Sequence, residues 1–110
     1  MLGHSGCGAV AATIEELQGV PQVHSKNLRS IVDRVRPSVE SLLEVTRAWS
    51  PEELLRQAVR ANIRMSVSQL RHGSQLLEQF IQENGLMVVG AEYSLENGLV
   101  EFLESPPGAG

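Results

Sequence analysis

The sequence predicts an α/β fold that is mostly helical and ends in a β-hairpin at the edge of a parallel sheet. Apolar residues recur with a helical period of about 3.6 through most of residues 9–83. The run Leu86-Met87-Val88-Val89 is then apolar on both faces, which is typical of a strand inside an α/β sheet. Asn97-Gly98, a strong hairpin signal, separates this run from a second apolar stretch.

The first helix is predicted over Ala9–Leu17. Alanines dominate this segment, and its apolar residues form a stripe at helical spacing, which leaves Glu15 and Glu16 exposed. Gly19 is expected to close the helix as a C-terminal cap. The positive end of this helix faces the glycine-rich start of the chain, where it favours an anion or a thiolate.

Two helices placed end to end, 26–35 and 37–48, are predicted next. Ser25 is a suitable N-cap, and apolar residues continue the helical period through both segments. Pro37 interrupts the run because proline lacks the N–H that a helix interior requires. We therefore place Pro37 in the first turn of the second of these helices.

Ser50-Pro51-Glu52-Glu53 is the clearest helix start in the chain. It provides a capping serine, a proline at the first helical position and a glutamate three residues after the cap. The helix is predicted to run to about Arg71. Ser74 then begins a short helix that stops at Asn84-Gly85.

Two strands are predicted, Leu86–Glu92 and Leu99–Leu103, while Met1-Leu2 is too short to count as a strand. Since two strands alone are marginally stable, the hairpin needs a neighbour and leaves an edge prone to pair with another chain. Residues 1–104 are predicted to form a partial domain. Residues 105–110, rich in proline and glycine, are predicted to be a disordered tail.

Composition excludes several classes of protein. A net charge of −4 and a pI near 5.3 argue against a nucleic-acid partner, which requires a basic face. No stretch is apolar for long enough to span a bilayer, and there is no signal-peptide pattern. The single cysteine excludes an intrachain disulfide and is typical of a reducing compartment, so a cytoplasmic location is expected.

The segment with the clearest candidate metal ligands is Gly3-His4-Ser5-Gly6-Cys7-Gly8-Ala9-Val10. Imidazole nitrogen and thiolate sulfur are both good zinc ligands, and a spacing of three residues allows one tight loop to aim both at one ion. The glycines permit positive φ and leave the loop uncrowded. An H-x-x-C pair alone is a weak signal, but the whole string is far more specific.

This string resembles the zinc loop of the β-class carbonic anhydrases, in which a strand ends in Gly-His-x-x-Cys-Gly and leads into a helix. The resemblance continues through residues 27–39, similar to the family's middle helices, and 62–70, similar to its asparagine-bearing helix. Residues 85–100 look like its closing strand, turn and strand. The match covers only the C-terminal half of the family, because its Cys-x-Asp-x-Arg motif has no counterpart here.

The resemblance implies zinc-dependent hydration of carbon dioxide to bicarbonate, with zinc held by two cysteines and one histidine. By this resemblance His4 and Cys7 are two of the three protein ligands. The third ligand and the Asp-Arg pair that orients the nucleophile belong to the half that is absent, so no catalytic residue is assigned in this chain. We expect weak or no zinc binding by the chain alone, no activity, and either a homo-oligomer or a partner carrying the other half.

Other interpretations of the loop remain open. It could be a glycine-rich turn with an inert cysteine, an incidental site for phosphate or sulfate, or a reactive thiol. It is not a P-loop, because no Gly-Lys-Ser/Thr follows. His24, in a connecting segment, and His72, at a helix C-terminus, are the only other histidines that could add a ligand, and each is more typical of a solvated side chain.

Two functions therefore compete. The first is a carbonic anhydrase homologue whose zinc site is completed by another segment. The second is a non-catalytic homologue that acts as an oligomerisation or interaction module. A Cys-x-Asp-x-Arg segment upstream in the genome, or on a partner chain, would favour the enzyme, whereas a genuine start codon at Met1 would favour the module.

Overall fold

A computed structural model describes residues 1–20, 25–45 and 48–103. Its elements are β1 (Leu2–His4), α1 (Gly8–Leu17), α2 (Lys26–Val45), α3 (Pro51–His72), α4 (Gln75–Glu83), β2 (Ala91–Tyr93) and β3 (Val100–Phe102). The chain divides into two compact units, one of residues 5–62 and one that joins residues 1–4 to residue 63 and beyond. None of the helices in the described segments has the length and apolar character that crossing a bilayer requires.

In the unit of residues 5–62, α1 packs against α2. Val10 and Ile14 of α1 and Val32, Val35 and Val39 of α2 are buried, as the helical period predicts. Gly19 ends α1 with φ +84°, a conformation that glycine adopts without strain. Val20 N–H donates to Glu15 O and Gly19 N–H to Glu16 O, the paired hydrogen bonds of a Schellman cap. The predicted first helix and its glycine cap are confirmed.

The predicted break at Pro37 is wrong, because α2 is one helix that contains this proline. Pro37 is exposed, so its ring lies on the solvent side of the helix. Val35 and Val39, one turn apart on either side of it, are both buried. Burial of this continuous stripe outweighs the hydrogen bond that proline cannot donate. The predicted end at residue 48 is also too late, because Ala48 is not helical.

A group of ionic contacts joins α1 to α2. Glu16, predicted to be exposed, is instead half-buried and accepts hydrogen bonds from Arg29 and from Arg36, the latter at 2.7 Å. Asp33 lies 3.2 Å from Arg29 along α2. The hydrogen bond to Glu16 is the main cause that raises the pKa of Arg29 above its ordinary value, with the charge of Asp33 adding to it. One carboxylate of α1 therefore bridges two guanidinium groups of α2.

We expect Glu16→Gln to lower the thermal midpoint of the chain, by an amount that shrinks at high salt because salt screens exposed ion pairs. Because the pKa of Arg29 is raised on folding, the stability it contributes is fully present below the unfolded-state pKa of an arginine and is lost only as pH rises through the higher folded-state pKa. Deprotonation of Arg29 therefore changes nothing near neutral pH. Thermal melts at low and high salt test this, with Glu40→Gln on exposed α2 surface as the matched control. Equal, salt-insensitive shifts in both variants would contradict it.

The predicted starts of α3 and α4 are confirmed. Ser50 Oγ accepts a hydrogen bond from Glu53 N–H at 3.2 Å, and Ser74 Oγ accepts one from Leu77 N–H at 3.3 Å. Each serine satisfies a backbone donor that a helix N-terminus leaves without an intrahelical partner. Gly73 follows α3 where a side chain would clash, since a Cβ there would lie 2.5 Å from the Gln69 carbonyl oxygen.

The second unit contains a three-stranded sheet in the order β1-β2-β3. β1 pairs with β2 in parallel and β2 with β3 antiparallel. The expectation that Met1-Leu2 is too short for a strand is wrong, because Leu2–His4 forms β1 opposite Ala91–Tyr93. A three-residue strand shows no detectable periodicity, so only its pairing with a distant segment defines it. The sheet is therefore mixed, with its antiparallel strand at one edge, and is consistent with the predicted α/β class.

The two predicted strands are shorter than expected, and the first five residues of Leu86–Glu92 are not a strand. Gly85 turns the chain with φ +72°, after which Leu86 and Met87 are exposed rather than buried on both faces. The Arg71 side chain donates to the Val88 carbonyl, with Nε at 3.0 Å, and the Met1 amino group donates to Val89 O at 2.9 Å. The Arg71 side chain thus occupies a carbonyl that a ladder would use, whereas the Met1 contact continues the β1–β2 pairing by one residue. The predicted tail 105–110 lies outside the described residues, and the partial domain 1–104 stays a prediction.

Candidate metal centre

His4, the first predicted ligand, is the last residue of β1. Its backbone position is fixed by the parallel pairing of β1 with β2, in which His4 lies opposite Tyr93. Residue His4 is exposed. Gly3, just before it, allows close approach to α3, because a Cβ there would lie 2.5 Å from Ile63 Cδ1. The packing of β1 against Ile63 therefore positions the backbone that carries this imidazole.

Cys7, the second predicted ligand, is the N-cap residue of α1. Its carbonyl accepts the first intrahelical bond from Ala11 N–H at 3.0 Å, while its side chain makes no capping hydrogen bond. The thiol is free of any disulfide and half-exposed. The N-terminus of a helix favours negative charge near its first turn, which suits a thiolate ligand.

The two residues between these predicted ligands form a turn, as the glycine-rich string predicts. Gly6 has φ +63°, in the left-handed region where other residues are strained. A Cβ at Gly6 or Gly8 would have no described atom within 4 Å, so the loop is uncrowded. The local backbone thus follows the predicted course of strand end, tight turn and helix start.

The other histidines do not supply an evident third ligand. His72, the last residue of α3, is exposed, and its Nδ1 lies 3.2 Å from Glu78 Oε1 at the start of α4. His24 lies outside the described residues. Across residues 1–20, 25–45 and 48–103, no three His, Cys, Asp or Glu side chains gather as a metal-binding group. His4 and Cys7 fit zinc in kind of donor, and the described residues do not bring a third donor to them.

Comparison with known proteins identifies the family of this chain. The sequence model of the carbonic anhydrase family matches residues 1–100. A carbonic anhydrase of Mycolicibacterium smegmatis is 34% identical over 102 residues, which cover 93% of this chain and 47% of that protein. The chain therefore belongs to the carbonic anhydrase family.

Solved structures agree with this assignment and specify the fold as that of the β class. One of two tetrameric β-carbonic anhydrases from Sordaria macrospora superposes with a TM-score of 0.80 at 19% identity, over 96% of this chain and 51% of that one. The β-carbonic anhydrase of Aspergillus fumigatus gives 0.78 at 23% identity, over 94% and 46%. The predicted partial β-carbonic-anhydrase fold is confirmed. The chain spans about half the length of each of these relatives.

Proposed function

We propose that this chain supplies part of the zinc site of a β-class carbonic anhydrase, with His4 and Cys7 as two of its protein ligands. The observation that carries the proposal is the placement of these residues by the fold. His4 ends a strand and Cys7 caps the following helix, with a positive-φ glycine between them, within a chain of this family. Reversible hydration of carbon dioxide to bicarbonate is the proposed reaction of the completed site.

Each ligand has a separate task. His4 presents an imidazole at the end of a paired strand, so its backbone does not have to become ordered when metal binds. Cys7 presents sulfur at the first turn of α1, where the backbone N–H groups favour an anionic ligand. Zinc, when bound, acts as a Lewis acid that makes a water molecule acidic enough to serve as nucleophile near neutral pH. Two protein ligands hold zinc poorly, so a third from another polypeptide segment completes the proposed site.

We expect the purified chain to bind zinc weakly and at less than one ion per chain. Removing either ligand should abolish the remaining affinity, because one donor does not retain the ion against water. Metal analysis after dialysis, with a competing zinc indicator, measures this for His4→Ala and Cys7→Ser. His72→Ala is the matched control, because His72 is an exposed histidine paired with Glu78.

A single zinc per chain that survives dialysis against a chelator would show that the chain holds a third ligand of its own. Loss of that zinc in His24→Ala would identify the ligand as His24. Zinc binding that is unchanged in both His4→Ala and Cys7→Ser would reject the proposed site altogether.

A second function, that of an oligomerisation or interaction module without catalysis, is favoured by the large apolar side chains that β1 and β3 leave exposed. The similar structure from Sordaria macrospora is described as tetrameric, which supports association in this chain as well. The two functions differ in their dependence on Cys7. A module should associate equally well as Cys7→Ser, and should gain no activity from the half that the relatives possess. Either function is compatible with the cytoplasmic location proposed from the sequence.

A further inference from the structure

The same four residues, Glu-Asn-Gly-Leu, occur twice in the chain, at 83–86 and at 96–99. Asparagine followed by glycine is prone to spontaneous deamidation, because glycine has no side chain to obstruct attack of its backbone nitrogen on the asparagine carboxamide. Every residue of both segments is exposed. Local sequence and exposure are therefore matched, so a difference in reactivity between the two asparagines has to come from the fold.

The second segment lies in the turn that joins β2 to β3. Asn97 Oδ1 accepts a hydrogen bond from Leu99 N–H at 2.9 Å, and Gly98 N–H donates to Ser94 O at 2.8 Å. Ser94 N–H donates to Leu99 O at 2.9 Å, which closes the same turn. The carboxamide and the glycine nitrogen are thus both engaged, and cyclisation requires their hydrogen bonds to break together.

The first segment ends α4. Asn84 is the C-cap residue, and its backbone N–H donates to Phe80 O at 3.0 Å. Within the described segments, neither the Asn84 carboxamide nor Gly85 N–H makes a hydrogen bond. Asn84 has ψ 9°, which turns the Gly85 nitrogen away from the carboxamide, so the reaction requires rotation about this bond. That rotation breaks the hydrogen bond from Leu86 N–H to Phe80 O, which is long at 3.2 Å.

We propose that Asn84 is a site of spontaneous deamidation in the folded chain, and that the hairpin protects Asn97 from the same reaction. The Gly85 backbone nitrogen attacks Asn84 Cγ, the bond from Cγ to the amide nitrogen breaks, and ammonia leaves with the proton that Gly85 gives up. Water then opens the resulting succinimide ring at either carbonyl, which yields aspartate or isoaspartate. Solvent water is the co-reactant. This inference does not rest on the proposed zinc site.

The reaction changes the end of α4. Either product places a carboxylate beside the last carbonyls of the helix, where the helix dipole disfavours negative charge. Isoaspartate also adds one atom to the backbone just before Gly85, which turns the chain with φ +72°. At position 97, by contrast, an aspartate still accepts the hydrogen bond from Leu99 N–H.

Peptide mapping by mass spectrometry measures both sites in one sample. Cleavage after glutamate separates them into residues 84–92 and 97–101, and deamidation raises the mass of the peptide that carries it. In the folded chain Asn84 should react about tenfold or more faster than Asn97, because two hydrogen bonds protect the latter. In concentrated urea the two rates should agree within about twofold, since the nearest residues are identical.

Equal rates in the folded chain would overturn the proposal. So would a preference for Asn84 that is as large in urea as in the folded chain, because the fold would then play no part. A folded chain in which Asn84 stays intact, while both asparagines react in urea, would overturn it as well.

Matched substitutions test the effect on α4. Asn84→Asp should lower the thermal midpoint by roughly 1–5 °C at low salt, and Asn97→Asp should change it by less than about 1 °C. Asn84→Gln is the control, because a glutamine forms the larger ring far more slowly. Its midpoint should survive an incubation in which the wild-type midpoint falls. Equal midpoints for the two aspartate variants would overturn the assigned effect.

Discussion

The 110-residue chain alone is expected to show no hydration of carbon dioxide above the uncatalysed rate, with or without added zinc. The resemblance to β-class carbonic anhydrases calls for an aspartate, held by an arginine, that orients the nucleophile. Asp33 is the only aspartate, and it lies on α2 beside Arg29 and Arg36 rather than after a cysteine. Stopped-flow measurement with a pH indicator, against buffer containing equal zinc, provides the test. Zinc-dependent hydration of carbon dioxide by the chain alone would refute the prediction that its site is incomplete.

Supplying the other half should restore zinc binding and activity together. The corresponding half of the Mycolicibacterium smegmatis relative, fused or added in trans, is the natural choice because that relative is 34% identical over 102 residues. Cys7→Ser should then lose both properties, while His72→Ala should keep both. Activity that returns but persists in Cys7→Ser would separate the reaction from this thiolate and reject its assigned role.

Ile63→Ala is expected to lower the free energy of unfolding by about 2–5 kcal/mol, the usual cost of truncating a large buried aliphatic side chain. Ile63 is only 2% exposed. It fills the space that two glycines leave, since a Cβ at Gly3 would lie 2.5 Å from its Cδ1 and one at Gly90 2.9 Å from its Cγ2. Urea titration followed by circular dichroism measures the loss.

Leu76→Ala on α4 is the control for Ile63→Ala. Leu76 is 62% exposed, so its truncation should change stability by no more than about 0.5 kcal/mol. A double-mutant cycle sharpens the test. Gly3→Ala should be destabilising in the wild-type chain, where it meets Ile63, and nearly harmless in Ile63→Ala, where the space is vacant. Additive effects of the two substitutions would contradict the contact.

Helices were the predictable part of this fold. The capping serines Ser50 and Ser74 and the glycine cap Gly19 act within one turn of the chain, so their effect is visible in the local sequence. Pro37 shows the limit of such rules. Its local preference is to break a helix, yet α2 continues because the buried valines on both sides pack as one stripe. Tertiary packing, which no local signal contains, decides such cases.

Strands were less predictable because distant partners define them. Leu86–Val89 has the composition of a buried strand, but Leu86 and Met87 are exposed and the Val88 carbonyl accepts hydrogen bonds from the Arg71 side chain. The candidate metal centre was likewise predictable only in part. The positions of His4 and Cys7 at a strand end and a helix start follow from one short string, whereas their role as zinc ligands stays a prediction. A third ligand, if the chain held one, would come from a sequence-distant segment that spacing alone does not reveal.

The parallel pairing of β1 with β2 has a consequence for the order of folding. The Met1–Val89 hydrogen bond joins residues 88 positions apart, whereas the β2–β3 hairpin closes within a few residues. Long loops close slowly and late, so we expect β1 to dock after α1–α2 and the hairpin have formed. Synthesis makes Leu2–His4 before α1, α2, α3 and α4, yet their partner Ala91–Tyr93 emerges from the ribosome only after these helices. The pairing of β1 with β2 therefore waits until the helices between them have been synthesised.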